Sequence, residues 1–195
     1  MNNYWEHVNP NEFLQTFHEG YQKPVRQLYR AILSNLRVTR MLEVGCGPGV
    51  DYAGAVQTIP DIVYTGVDMA QNMVDHCSAK YPQGLFLKGD IHSLPFANGQ
   101  FPLVYCKDVL NHLDNWAAGF TELYRVSSCY ILVNFFYGLG STTFKGKEHH
   151  DGFINNWVDW NEVMTKLVSF KPVTINVYPV DCIPNEEIMI LIQKS

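Results

Sequence analysis

The chain has 195 residues, with 47% hydrophobic and 17% charged residues and a formal charge of −5. This balance is typical of a folded globular domain and excludes a disordered chain. The acidic charge opposes a broad nucleic-acid-binding surface, which needs a basic face, so we expect no nucleic-acid partner.

Cysteine usage and the N-terminus indicate the compartment. Five cysteines occur without a CxxC pair, which predicts free thiols and no metal site. The first residues lack the basic-then-apolar pattern of a signal peptide, and no apolar run approaches the ~20 residues that cross a bilayer. We therefore expect a cytoplasmic protein without a membrane segment.

The hydrophobic pattern predicts alternating helices and strands along the chain. Two helices are expected within 10–36, the first capped by Asn11 and ended by Gly20, the second starting at Pro24. Further helices are predicted over 50–58, 71–81, 115–127 and 159–169, and a long loop over about 137–157, with a turn at Pro184-Asn185. Strands are predicted over 40–45, 62–67, 84–89, 101–106, 130–136, 173–180 and 187–193. This alternation predicts one α/β domain over 1–195, with a largely parallel sheet and helices on both faces.

A glycine-rich turn follows the first predicted strand. In the run Met41-Leu42-Glu43-Val44-Gly45-Cys46-Gly47-Pro48-Gly49, three alternate glycines remove side chains from one turn, so that a ligand can lie against the backbone. The turn leads into a helix N-terminus, where anionic or polar ligand groups bind. A dinucleotide-binding fingerprint would place its third glycine at position 50, but Val50 stands there.

Acidic residues follow the second and third predicted strands. Asp68 ends the run 62–67, about 20 residues after the glycine turn, where a carboxylate can bind ribose hydroxyls. Met69 follows and is expected against an adenine ring. Asp90-Ile91 follows the third strand, and Lys107-Asp108 opens the segment after the fourth.

Together these runs resemble the motifs of the class I S-adenosylmethionine (SAM) dependent methyltransferases, over residues 38–136 closely and elsewhere loosely. The resemblance implies a Rossmann-like, doubly wound seven-stranded sheet with one antiparallel strand, in the order 3-2-1-4-5-7-6. It implies SAM as cofactor, transfer of its methyl group to an O, N or C atom of a small molecule, and cofactor contacts from Glu43, Gly45, Cys46, Gly47, Gly49, Asp68, Met69, Asp90, Ile91 and Lys107.

His112 is the candidate general base, because it follows the fourth strand and histidine titrates near neutral pH. Asp108 lies four residues earlier and on a helical turn would orient it. The alternative is a positioning or packing histidine, with catalysis by alignment alone. Asn111 is a candidate substrate contact. His149 and His150, in the loop after the fifth strand, are further candidates, and an ordinary surface loop is the alternative.

The segment 1–37 is expected to form a helical lid over the site. Tyr4 and Trp5 precede the predicted helices and are candidate substrate contacts, while Phe13 and Phe17 serve equally well as packing residues. The basic residues Lys23, Arg26, Arg30 and Arg37 lie near one side of the second helix. We expect a solvated face there; if it bordered the pocket, it would favour an acidic acceptor.

Three other functions compete with the small-molecule methyltransferase. An RNA or protein methyltransferase is opposed by the acidic charge and by Lys107-Asp108-Val109-Leu110 where an amino methylase would carry N/D-P-P-Y/F. A regulatory subunit that binds SAM without catalysis would keep the same glycine motif, so only turnover distinguishes it. A nicotinamide-dependent dehydrogenase is opposed by Val50.

Overall fold

The structure is a computed structural model, and it describes residues 4–16, 20–136, 144–145, 152–180 and 187–195. Several predicted features lie outside these residues, namely Phe17, His149, His150, Cys182 and the turn at Pro184-Asn185.

The elements follow one another as helices and strands in the predicted alternation. The helices are α1 (Tyr4–His7), α2 (Pro10–Thr16), α3 (Pro24–Asn35), α4 (Val50–Thr58), α5 (Gln71–Lys80), α6 (Trp116–Val126) and α7 (Trp160–Ser169), with a 3₁₀ turn at Leu110–His112. The strands are β1 (Arg40–Val44), β2 (Val63–Asp68), β3 (Leu85–Lys88), β4 (Phe101–Cys106), β5 (Ser127–Phe136), β6 (Phe144–Lys145), β7 (Asn156–Trp157), β8 (Thr174–Val180) and β9 (Glu187–Gln193).

Seven strands form one sheet in the order β3-β2-β1-β4-β5-β9-β8. The neighbours from β3 to β5 pair in parallel, whereas β9 runs antiparallel to both β5 and β8. The predicted sheet with one antiparallel strand is therefore confirmed. The strand order reverses between β1 and β4, and ligands of such sheets bind outside the carboxyl ends at that point.

Helices cover both faces of the sheet, and the strands supply side chains to each face in turn. In β4, Val104 packs in the cluster with α6 and α7, while Leu103 and Tyr105 pack in the cluster with α3, α4 and α5. Strands buried on both faces read as continuous apolar runs. The described helices include none that is long and apolar enough to span a membrane.

The ends of several helices correct or confirm the predicted caps. Asn9, not Asn11, caps α2, because its Oδ1 accepts hydrogen bonds from the N–H groups of Asn11 (2.9 Å) and Glu12 (3.4 Å). The prediction was wrong because either asparagine suits the position and the sequence does not show which precedes the first turn. The predicted cap of α7 is confirmed, since Asp159 Oδ1 accepts from Glu162 N–H at 3.0 Å.

Three short elements were not predicted. Helix α1 contains Tyr4 and Trp5, which were expected to precede any helix. Within the predicted loop 137–157, β6 and β7 pair antiparallel through Phe144↔Trp157 and Lys145↔Asn156. Elements of two to four residues carry too little periodicity to be read from sequence.

Candidate active site

The glycine turn joins β1 to α4 at the carboxyl edge of the sheet. Gly45, Gly47 and Gly49 all have positive φ angles, of 80°, 48° and 76°. The N–H groups of Gly45 and Cys46 both donate to the carbonyl oxygen of Val67 at the end of β2, at 2.7 and 3.1 Å. The first strand tip is thereby fixed to the second.

The three glycines differ in what surrounds them. A Cβ on Gly45 would lie 2.1 Å from Val109 Cγ2, and one on Gly49 would lie 2.7 Å from the Tyr81 ring. A Cβ on Gly47 would have no atom within 4 Å among the described residues. Two glycines therefore permit close packing inside the protein, while Gly47 presents bare backbone to open space, as a ligand cradle requires.

Asp68 stands at the end of β2 and is 9% exposed. Its Oδ2 accepts a hydrogen bond from Gly47 N–H at 2.8 Å and its Oδ1 accepts from Ala70 N–H at 2.9 Å. Burial raises the pKa of this carboxyl, and the main-chain N–H groups partly offset that rise. Asp68 was expected to bind ribose hydroxyls at the strand tip, and in the structure it also holds the glycine turn in place.

Glu43 and Cys46 have their side chains inside the protein. Glu43 is 2% exposed and accepts a hydrogen bond from the Tyr64 hydroxyl. Burial and, next, the nearby Asp51 raise the pKa of Glu43 well above its usual value. Cys46 is 4% exposed, so a ligand at this turn would meet its backbone. The side chain of Glu43 thus lies in the interior beneath the turn, and its contact with the cofactor stays a prediction.

The end of β2 and the segment after β3 present the remaining predicted cofactor contacts. Met69 is partly exposed, Asp90 is exposed and Ile91 is buried. Asp90 Oδ1 accepts from His92 N–H at 2.9 Å and lies 2.9 Å from its Nδ1. Although partial burial acts the other way, the hydrogen bonds to His92 lower the pKa of Asp90. An ionised carboxylate therefore stands beside the edge where an adenine amino group is expected.

A cluster of polar side chains occupies the carboxyl ends of β4 and β5, and we call it the β4–β5 polar cluster: Lys107, Asp108, Asn134 and Glu187. Asn134 Nδ2 donates to Asp108 Oδ1 and to Glu187 Oε1, both at 2.6 Å. Asn134 Oδ1 accepts from Asp108 N–H at 2.7 Å. Lys107 forms an ion pair with Asp108. The carboxylates are thus bridged by one buried amide.

The pKa values of the two carboxyls of this cluster are shifted in opposite directions. Burial acts to raise the pKa of Asp108, but the Lys107 ammonium beside it, with Lys23, outweighs burial and holds that pKa well below its usual value. Burial and the charge of Asp108 raise the pKa of Glu187. Asp108 also has a φ of 54°, a left-handed backbone that is uncommon outside glycine and is often found at functional sites.

His112 is held by a main-chain carbonyl and not by Asp108. Its Nδ1 lies 2.7 Å from the carbonyl oxygen of Ile154. A carbonyl only accepts hydrogen bonds, so Nδ1 carries the proton and, in the neutral ring, Nε2 carries the lone pair. The predicted helical turn is absent at Asp108, because the 3₁₀ turn begins at Leu110 and the Asp108 carboxylate binds Asn134 and Lys107. The predicted Asp108–His112 orientation is therefore corrected.

Asn111 is fully buried. Its Oδ1 accepts a hydrogen bond from Phe136 N–H at 3.2 Å, and its Nδ2 has no hydrogen-bond partner among the described residues. The side chain therefore fixes the end of β5, and a substrate contact from Asn111 would have to use Nδ2.

The N-terminal helix lies against this same edge. The Trp5 ring stands 5.4 Å from the His112 ring and 5.2 Å from the Phe153 ring, and Tyr4 stands 5.1 Å from Phe153. Asn72 Nδ2 also donates to the Val8 carbonyl oxygen at 2.5 Å. Phe153, the aromatic partner of Tyr4 and Trp5, comes from a loop with no local sequence signal, so this anchor of the N-terminal segment could not be read from the sequence.

The basic residues of α3 are mostly engaged within the protein. Arg26 is 5% exposed, and its Nε lies 3.1 Å from Asp51 Oδ1. The Arg30 guanidinium covers the Tyr21 ring and donates to the Tyr21 carbonyl oxygen at 2.9 Å. The expected solvated face is therefore wrong for Arg26, and an acidic-acceptor site on this face is not formed by these two arginines.

Four of the five cysteines lie within the described residues, as do several other possible metal ligands. Cys46, Cys77, Cys106 and Cys129 are free thiols. No group of three or more His, Cys, Asp or Glu side chains is placed to hold a metal ion within the described parts of the chain.

Comparison with known proteins agrees with this geometry. Residues 42–128, which include the glycine turn, Asp68, Asp90 and the β4–β5 junction, match the family model of the methyltransferase domain. The resemblance to class I SAM-dependent methyltransferases that the sequence motifs indicated is thereby confirmed.

The individual relatives share only moderate sequence identity with this chain. A malonyl-[acyl-carrier protein] O-methyltransferase of Legionella pneumophila is 27% identical over 144 residues, which cover 67% of this chain and 49% of that protein. The chain spans 37%, 55% and 49% of the lengths of three curated relatives.

Solved structures share the fold over nearly the whole chain. Magnesium protoporphyrin IX methyltransferase of Synechocystis PCC 6803, solved with bound S-adenosylhomocysteine (SAH), has a TM-score of 0.74 at 16% identity, covering 99% of this chain and 97% of that one. A possible histamine N-methyltransferase of Thermotoga maritima has a TM-score of 0.70 at 19% identity and covers 100% of both chains.

Proposed function

We propose that this protein transfers a methyl group from SAM to a small-molecule acceptor. The observation that carries the proposal is Gly47, whose open side at the strand-order reversal stands beside Asp68. The glycine backbone and α4 N-terminus suit the polar part of a nucleoside cofactor, and the strand tips of Asp68 and Asp90 suit its ribose and adenine. When bound, SAM would supply a methyl group already activated by its sulfonium.

The work left to the chain is alignment and exclusion of water. The rings of Tyr4, Trp5, Phe153 and His112 form an apolar wall at the same edge of the sheet. A wall of this kind would keep water from the reacting atoms. An acceptor that is already nucleophilic then needs orientation alone, whereas an acceptor that must lose a proton would use Nε2 of His112.

Two substitutions separate these roles of His112. His112→Asn keeps an amide N–H near the Ile154 carbonyl but removes the ring nitrogen Nε2. If His112 is the base, turnover should fall about 10²–10⁴-fold with SAH affinity nearly unchanged. If it only orients the acceptor, His112→Asn should lose little, while His112→Ala should raise KM. We expect the second pattern, with a rate that does not follow a histidine titration.

The activity itself is tested by a methyl-transfer screen of the purified chain against pooled small metabolites, with release of SAH as the readout. We expect release with at least one small-molecule pool and none with RNA or protein. Release only with RNA or protein would contradict the proposed acceptor class. Tight SAH binding without turnover on any pool would favour a non-catalytic SAM-binding subunit.

A further inference from the structure

The β4–β5 polar cluster places buried polar and ionisable side chains in a sheet that is otherwise apolar. Asn134 is 1% exposed in the middle of the run Tyr130-Ile131-Leu132-Val133-Asn134-Phe135-Phe136, and Glu187 is 4% exposed. Burying ionised groups costs free energy even when they are paired, and a buried amide needs hydrogen-bond partners. No strand of the sheet needs these side chains for its ladder. The cluster stands at the ligand-binding edge, which gives it a functional reason.

Asp108 is the part of the cluster that a ligand can reach. Its side chain is 22% exposed, whereas that of Lys107 is 4% exposed. Asn134 holds Asp108 through two hydrogen bonds: Asn134 Oδ1 accepts from the main-chain N–H of Asp108, and Asn134 Nδ2 donates to Asp108 Oδ1. A left-handed backbone clamped in this way fixes the carboxylate in one position, and each carboxylate oxygen has lone pairs beyond the one already used.

Asp108 also lies next to the cofactor turn. Val109, the following residue, is the side chain that fills the space above Gly45. Three residues after Asp108 in sequence, the buried Nδ2 of Asn111 has no partner among the described residues, and as a donor it calls for a hydrogen-bond acceptor from a ligand or a water. The edge between the glycine turn and the end of β5 is therefore built to receive a polar group.

We propose that the Asp108 carboxylate binds a cationic nitrogen group of the methyl acceptor, so that the acceptor is a molecule that carries an ammonium group and is methylated at another atom, since a protonated nitrogen has no lone pair. The inference rests on the proposed methyltransferase function and names its substrate class. The most exposed side chain of the cluster is that of Asp108, and carboxylate oxygens accept hydrogen bonds from ammonium groups. The arginines of α3 that would bind an acidic acceptor are engaged with Asp51 and Tyr21.

Lys23 provides a sharp way to distinguish a cationic from an anionic acceptor. It precedes α3, and its positive charge acts to lower the pKa values of both Asp108 and Glu187, although burial and the charge of Asp108 raise that of Glu187 overall. If the site binds a cation, Lys23 opposes that binding by charge repulsion, and Lys23→Met should tighten it. If the site binds an anion, Lys23 would assist, and the same substitution should weaken binding.

The test uses SAH-loaded full-length protein and sets of three probes that share a skeleton and carry an ammonium, a hydroxyl or a carboxylate group at one end. The first set is 2-phenylethylammonium, 2-phenylethanol and 3-phenylpropionate. Two further sets replace the phenyl ring with an imidazolyl or a butyl group. Binding is measured by calorimetry. The wild type should favour the ammonium member of each set, and Asp108→Asn should weaken it roughly ten- to hundred-fold, the range for loss of a hydrogen bond to a charged group. Asp114→Asn, at an exposed acid, is the matched control and should change nothing.

The other outcomes each overturn the proposal. Preference for the alcohol or the carboxylate, no binding of any member, or an ammonium preference that survives Asp108→Asn would do so. A parallel loss of SAH affinity in Asp108→Asn would assign the carboxylate to the cofactor. Asparagine suits the left-handed backbone at 108; should the variant still unfold, Lys23→Met decides by the direction of its effect. SAH binding measured first separates failure of this inference from failure of the methyltransferase function.

Discussion

The strands β2 and β4 each lead into an aspartate at the same edge of the sheet, and the two are held by different kinds of partner. Asp68 accepts hydrogen bonds from the main-chain N–H groups of Gly47 and Ala70. Asp108 is held by the side chains of Asn134 and Lys107. Main-chain support suits a site for a common cofactor, because any sequence with the same turn provides it. Side-chain support can change with each substitution, as a site for a particular acceptor requires.

The largest expected effect is a difference in stability between substitutions at Gly45, which packs against Val109, and at Gly47, which faces open space. Gly45→Ala places a Cβ 2.1 Å from Val109 Cγ2 at a φ of 80°, so overpacking and backbone strain should destabilise the fold by about 2–5 kcal/mol. Gly47→Ala meets no atom and should cost roughly 1–2 kcal/mol for its left-handed backbone. Thermal unfolding of both variants measures the difference. Equal losses would show that the two glycines are not used differently.

Removal of Asn134 tests the side-chain-supported aspartate. Asn134→Ala leaves the Asp108 N–H, the Asp108 carboxylate and Glu187 without their shared partner, which should cost about 2–4 kcal/mol in the free energy of unfolding. SAH affinity should change much less, because the cofactor edge is held independently. Asn176→Ala, at an exposed residue of β8, is the control and should be near neutral. A stability loss no larger than that of the control would show that the cluster is not a connected unit.

Asp68 gives the matching test on the main-chain-supported side. Asp68→Ala should weaken SAH binding by about 1.5–3 kcal/mol, and it should also lower stability, since the Gly47 and Ala70 N–H groups lose their acceptor. Asp68→Asn retains an oxygen for one of these bonds and should recover part of the stability. Asp61→Ala, just before β2, is an exposed control. Unchanged SAH affinity in folded Asp68→Ala would remove Asp68 from the cofactor site.

The smallest effect is a difference in pH dependence within the polar cluster. The pKa of Asp108 is lower in the folded protein, so its contribution to stability is present above the unfolded value of about 3.9 and is lost as pH falls further. The pKa of Glu187 is raised, so its ionisation costs stability as pH rises above about 4.3. Asp108→Asn should therefore be less stable than the wild type near neutral pH, and this difference should shrink as pH falls. Glu187→Gln should become more stable relative to the wild type as pH rises. Melting temperatures from pH 3 to 8 that change in the same direction for both variants would contradict this assignment.

The sequence predicted the glycine turn and its neighbouring acids better than it predicted the contacts of the β4–β5 polar cluster, and the reason is physical. The turn at Gly45–Gly49 and the acids Asp68 and Asp90 follow directly from local patterns of strand, turn and helix. By contrast, Asp108 meets Asn134 and Glu187 only after β4, β5 and β9 have paired, and Trp5 meets Phe153 only in the folded protein. One signal was present in the sequence: Asn134 is a single amide inside an apolar strand, and such a residue needs a partner.

The central claim is that Gly47 presents the open backbone on which a SAM-type nucleoside cofactor lies. Calorimetric titration of SAH and of NAD into the wild type and into Gly47→Ala tests it most directly. We predict that the wild type binds SAH and binds NAD poorly, and that folded Gly47→Ala loses at least roughly tenfold in SAH affinity, or about 1.4 kcal/mol, because its Cβ occupies the ligand side of the turn. NAD binding tighter than SAH binding, or SAH affinity unchanged in Gly47→Ala, would contradict the claim.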